Sequence, residues 1–286
     1  MILPQDFDFT QGKLQDYVDC PYRFYLRYIL RTKWPALVVD DALEFERRSQ
    51  AGARFHRLIQ QYLLGISETR INELADEDPN PDLQTWWEGF LTFVPPWLDG
   101  QPYVETTLTT SLAGQRLVAK YDLILATDDR TLIIFDWKTS EKLPRVDWLL
   151  GRVQTQLYRL VLTDASSLIF DGQPVDPECI TMNYWFAPQP GTPVTLPYSR
   201  TTYQRDQAHL ARIIKEICVS EPESFHRTSD LKQCRYCVYR SHCDRGVEAG
   251  DLTEFDLTGG FADDFGVTSG EDGSEVAFED VPEIQF

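Results

Sequence analysis

Apolar residues recur at helical spacing over 14–30, with Tyr17, Phe24 and Tyr28 on one stripe, and Pro21 breaks the run just after Cys20. A second helical pattern covers 41–64, ending in "FHRLIQQYL". A third, "PDLQTWWEGFLTFV", opens on Pro81 and Asp82 and stops before Pro95 and Pro96. The pattern then changes. "PYVETTLTTSL", "QRLVAKYDLILAT" and "TLIIFDWKTS" are rich in β-branched and aromatic residues, with turn residues at 113–115 and 128–130, so they predict a three-stranded meander. Helical spacing returns over 146–165, two further strands are expected over 178–188 and 191–199, and a last helix covers 201–220. Helices, three strands, a helix, strands and a helix describe a mixed α/β domain.

The 286 residues, 42% hydrophobic and 13% aromatic, are enough for a substantial core. No apolar run approaches the ~18 residues of a membrane span, and "MILPQDFDFTQGK" has no basic segment followed by an apolar one. A cytoplasmic protein without membrane partners is expected. Its clustered thiols then read as metal ligands rather than disulfides.

The net charge of -18 is unevenly spread: 246–286 holds 12 acidic residues and no Lys or Arg, leaving 1–245 at -6. The expected organisation is one folded domain over 1–245 and an acidic, disordered tail over 246–286. That tail, with Phe255, Phe261, Phe265, Phe278 and Phe286, is either a solvating appendage or a segment that mimics DNA charge or docks a partner through its phenylalanines. Within the domain Arg23, Arg27, Arg31 and Lys33 form either a nucleic-acid patch or a solvated helix face.

Candidate chemistry centres on the meander. Asp136 and Lys138 are two apart in a strand and so emerge on one face, after the apolar "LIIF". Asp122 on the neighbouring strand can converge on them. Two carboxylates at one site repel unless a cation joins them, and hard oxygen ligands favour Mg²⁺ or Mn²⁺. A lysine beside them can orient water and offset charge on a phosphate. The plain alternative is a surface hairpin with an ordinary Asp–Lys pair.

His56, Asp122, Asp136-x-Lys138 and Gln154-x-x-x-Tyr158, in that order, resemble the PD-(D/E)xK nuclease superfamily, most closely its RecB-like branch. The resemblance implies a restriction-endonuclease-like mixed sheet flanked by helices and a metal-dependent nuclease acting on DNA single strands or ends. It implies that His56, Asp122, Asp136 and the Trp137 carbonyl hold the metal and that Lys138 positions the attacking water. Gln154 and Tyr158, on one helical face, would hold the DNA. Where the branch often carries Gly before the first acidic strand residue, this chain has Ala119-Lys120-Tyr121.

Cys20 and Cys234-x2-Cys237-x5-Cys243 look like the iron–sulfur nucleases of the same branch, among them CRISPR-associated exonucleases and AddB-type domains. There a [4Fe–4S] cluster joins the N- and C-terminal segments, and closing so long a loop constrains the unfolded chain. Zinc is the alternative for four thiolates, with His226 and His242 as substitute ligands. Cys179 and Cys218 fall outside the pattern and are expected to be buried thiols. With no G-x-x-x-x-G-K-[ST] loop, a helicase or CRISPR-adaptation partner would be a separate chain. The competing function is a non-catalytic iron–sulfur DNA-binding or assembly subunit.

Overall fold

The structure, a computed structural model, describes residues 3–4, 6–33, 42–93, 99–191, 193–234 and 237–246. The expected helix start at Asp41, the Pro95–Pro96 stop and the tail beyond Gly246 lie outside these residues. Helix α1 (Gln11–Asp19) is capped by Thr10, whose hydroxyl accepts from the Lys13 N–H at 3.4 Å. It ends where Cys20 is extended, and Pro21 then opens α2 (Pro21–Phe24), which continues as a π-helical turn over Tyr25–Ile29. Next come α3 (Ala42–Leu63), α4 (Glu68–Asp76) and α5 (Pro81–Phe93). The short, charged α4 is an addition to the expected elements: it buries only Ile71 and Ala75, too few apolar residues for a periodic signal.

The meander is as expected. Strand β1 (Gln101–Leu112) turns through Ala113 and Gly114, both at positive φ (54° and 77°), into β2 (Gln115–Ala126). Two such residues match the right-handed twist of the flanking strands. After β3 (Leu132–Lys138) the expected single helix is two, α6 (Val146–Gly151) and α7 (Val153–Ala165), parted at Arg152, which is extended at φ -71° and ψ 141°. Gly151, a poor helix former, ends the first of them. β4 (Ile180–Phe186), β5 (Val194–Pro197) and α8 (Arg200–Val219) follow, the last capped by the Ser199 hydroxyl, which accepts from the Thr202 N–H.

The strands form one sheet in the order β1-β2-β3-β4-β5. All neighbours are antiparallel except β3 and β4, which run parallel because α6 and α7 carry the chain back between them. Alternate residues feed two cores. Ile124 and Ile134 pack with Leu157, Leu160 and Ile214 from α7 and α8, whereas Leu123, Phe135 and Trp137 pack with Phe55, Trp87 and Phe90 from α3 and α5. Helices thus cover both faces of the sheet.

Two expectations fail here. Arg23 is buried between Asp16 and Asp19, at 2.7 and 2.8 Å, and Arg27 meets Asp16 at 2.7 Å. Only Arg31 and Lys33 stay exposed, so the four form neither a patch nor a solvated face. Cys179 and Cys218 are half-buried, not buried.

Candidate active site

Three carboxylates line up across three strands. β1 and β2 pair on both sides of one skipped position, Val104 with Leu123 and Thr106 with Tyr121, and the residues opposite each other in that gap are Glu105 and Asp122. Glu105 has φ 49°, which breaks the ladder there. The β2–β3 ladder ends at Leu123 and Phe135, so Asp122 and Asp136 occupy the next position. In place of the missing rung, the Trp137 N–H donates to Asp122 Oδ2 at 2.9 Å.

The fourth member arrives on α3. Gly52 lets that helix approach the end of β3 closely, since a Cβ there would sit 3.0 Å from the Thr139 hydroxyl. One turn on, His56 Nδ1 lies 3.5 Å from Asp122 Oδ1. His56, Glu105 and Asp122 each offer a ligand atom, all within 4.8 Å of one another, a donor set suited to a divalent cation. Lys120 holds Glu105 at 2.7 Å.

Asp136 is 3% exposed and held from two sides, by Lys138 Nζ at 2.9 Å and by the Gln154 side-chain amide, which donates at 2.7 Å. Burial by itself would raise the Asp122 carboxyl, but His56, the Trp137 N–H and Lys138 outweigh it and hold the group below the ordinary aspartate value. It stays ionised at neutral pH, the form in which a carboxylate can take a cation. The arrangement can hold a cation against a row of carboxylates with an ammonium alongside, the equipment of phosphodiester hydrolysis.

The sequence profile of the PD-(D/E)XK nuclease superfamily matches residues 8–244. The chain belongs to that superfamily. It is therefore a metal-dependent nuclease. Its fold is similar to that of the "Putative exonuclease" from Eubacterium rectale (TM-score 0.50, 10% identity, covering 88% of this chain and 92% of that one). SSO0001 also matches, with TM-score 0.36, 13% identity and coverage of 85% and 88%. A search of curated proteins finds no match.

Of the residues expected at the nuclease site, His56, Asp122, Asp136, Lys138 and Gln154 gather there, and Trp137 contributes its main chain between the two aspartates. Tyr158 shares a helical face with Gln154 but is only 5% exposed, its ring 4.9 Å from that of Tyr121 and the latter's hydroxyl donating to its carbonyl. That burial leaves little of it for a nucleic-acid contact, a correction to the expected role. Glu105 was missed. Its only sequence signal is a lone acid in an otherwise uncharged strand, "PYVETTLTTSL".

Apart from this site, Cys20, Cys234, Cys237 and Cys243 line one cavity together with Arg23, Arg227, Arg240 and Arg245. The Arg245 guanidinium donates to the Cys234 sulfur. Burial pushes the Cys237 and Cys243 thiols up, and Arg23 and Arg227 respectively pull them back. Among the described residues, no three of these sulfurs lie within 4.8 Å of one another.

Proposed function

We propose that this nuclease is a Mg²⁺- or Mn²⁺-dependent deoxyribonuclease of the RecB-like branch that degrades DNA from single strands or ends. The convergence of His56, Glu105 and Asp122 beside the Asp136–Lys138 pair carries the reading. His56, Glu105, Asp122 and Asp136, with the Trp137 carbonyl, would hold the cation. When bound, it supplies Lewis acidity to the scissile phosphate and lowers the pKa of water. Lys138 donates to the attacking water and balances charge developing on the phosphate. Gln154 fixes the Asp136 carboxylate so that the oxygen facing Lys138 keeps its orientation.

In the same reading residues 1–245 are the nuclease domain, closed by a [4Fe–4S] cluster on Cys20, Cys234, Cys237 and Cys243, and 246–286 are an acidic appendage. One observation supports a centre there: four arginines around four thiols suit an anionic thiolate group.

The test is cleavage of end-labelled single- and double-stranded DNA with Mn²⁺, comparing wild type with Asp136→Ala and Lys138→Ala. Wild type should release short products, and both variants should lose at least about 100-fold in rate while keeping their circular dichroism. A wild type that leaves every substrate intact points to the non-catalytic assembly role.

A further inference from the structure

The loop leaving Lys138 is tied down on one side: Glu141 meets Arg48 at 3.4 Å, and its carbonyl accepts from the Gln189 side chain at 2.7 Å. Its other side is open. Residues 141–147 are all exposed but for a half-buried Pro144, and they present two apolar side chains, Leu143 and Val146, at 49% and 48% exposure. One turn later the Arg152 guanidinium lies over the Trp148 ring, 4.8 Å from its centroid. Arg152 is the extended residue between α6 and α7, two positions before the Gln154 that holds Asp136. A half-buried aromatic ring, a guanidinium and two exposed aliphatic groups therefore lie in the segment between Lys138 and Gln154, the two residues that hold Asp136.

Further arginines stand on α8, the helix packed against α7. The Gln156 amide bridges the Gly151 carbonyl at 3.4 Å and His209 on α8 at 2.7 Å. His209 shares its helix face with the exposed Arg205 and Arg212. Arg145, Arg205 and Arg212 each have an acidic neighbour, Asp147, Asp206 and Glu216; the Arg145–Asp147 and Arg212–Glu216 pairs are exposed, so water and salt weaken them. Exposed guanidinium groups on α8 are thus tied, through His209 and Gln156, to the start of α7 beside the stacked Trp–Arg pair.

We propose that Trp148 and Arg152, with Leu143 and Val146, form a platform on which an unpaired base of the substrate strand stacks as its backbone enters the Asp136–Lys138 site. The proposal rests on the nuclease reading and names its substrate contact. Bases stack on aromatic rings and guanidinium planes whatever their sequence, and duplex bases, already stacked on each other, have no free face to offer. The platform therefore selects single strands. The cations behind it take the phosphates.

The test uses the full chain, purified with whatever metal it retains, and a fluorescent oligo(dT) in EDTA so that binding is read without cleavage. Trp148→Ala should weaken binding about ten- to hundred-fold, with Trp148→Phe recovering most of the loss. Arg152→Ala should lower the slope of log affinity against log salt by about one, whereas Trp148→Ala should leave that slope alone. Val146→Glu, at an exposed position, keeps the test alive if Trp148→Ala fails to fold, and should also weaken oligo(dT). With Mn²⁺ the loss should appear in KM for single strands more than in kcat. Unchanged affinity and KM in folded Trp148→Ala and Val146→Glu overturn the platform while leaving the nuclease reading intact. A wild type that binds oligo(dT) through Trp148 but never cleaves it does the reverse. A wild type that binds no oligo(dT) overturns the platform outright.

Discussion

Glu105 and Asp122 face each other across β1 and β2 at the one position where that ladder is skipped, and the skip is produced by the left-handed backbone of Glu105, φ 49°. A glutamate in that conformation costs on the order of 1 kcal/mol, which a functional position tolerates. Glu105→Gln keeps size and hydrogen bonding but removes a charge from the cation site. We expect the Mn²⁺ concentration for half-maximal activity to rise by at least about 100-fold, with an unchanged melting temperature. A variant with wild-type metal dependence would remove Glu105 from the site.

Asp122 should make stability depend on acid. Its folded carboxyl lies below the ordinary value, so the unfolded chain binds that proton more tightly. The stabilisation is present above the unfolded value and is lost as pH falls through the depressed folded one. Without divalent metal, Asp122→Asn should melt below wild type at neutral pH, and the two curves should converge in acid. A gap that widens in acid would mean that burial, not His56, sets this group.

Away from the site, Arg159 and Asp206 form an ion pair at 3.0 Å with side chains 0% and 1% exposed, and the guanidinium stacks on Tyr198 at 4.4 Å. Burial pushes the Asp206 carboxyl up and the Arg159 guanidinium down, each partly offset by the other. Asp206→Ala strands a buried cation and should cost about 3–5 kcal/mol, a fall of roughly 10 °C in Tm. Replacing both partners by apolar residues, Asp206→Leu together with Arg159→Met, leaves no charge stranded and should recover most of that loss by calorimetry. No recovery would show that the charges themselves hold α7 to α8.

The cysteine cavity predicts colour. Protein purified without oxygen should be brown, and Cys20→Ser and Cys237→Ser should each bleach it and lower Tm, because either opens the same closure between distant segments. A colourless, stable protein with one zinc per chain would replace the cluster by a zinc site.

Period-2 and period-3.6 patterns, which depend only on neighbours in the chain, made the meander, a helical crossover (though not its break at Arg152) and the Asp136-x-Lys138 pair legible in the sequence. That Cys20 belongs with Cys234, Cys237 and Cys243 came from the family resemblance alone, and the fold brings the four to one cavity. Three features were decided by tertiary structure. Glu105 joined the candidate site through strand register, which brings it opposite Asp122, whereas its own segment shows only a lone acid. Arg23 looked like surface charge until α1 and α2 folded Asp16 and Asp19 around it. Tyr158 shares its helix face with Gln154, but that face meets Tyr121 in the core one turn past the site. Periodicity tells which residues share a face; only packing decides what that face meets, because burial and charge pairing are set by chain segments far apart in sequence.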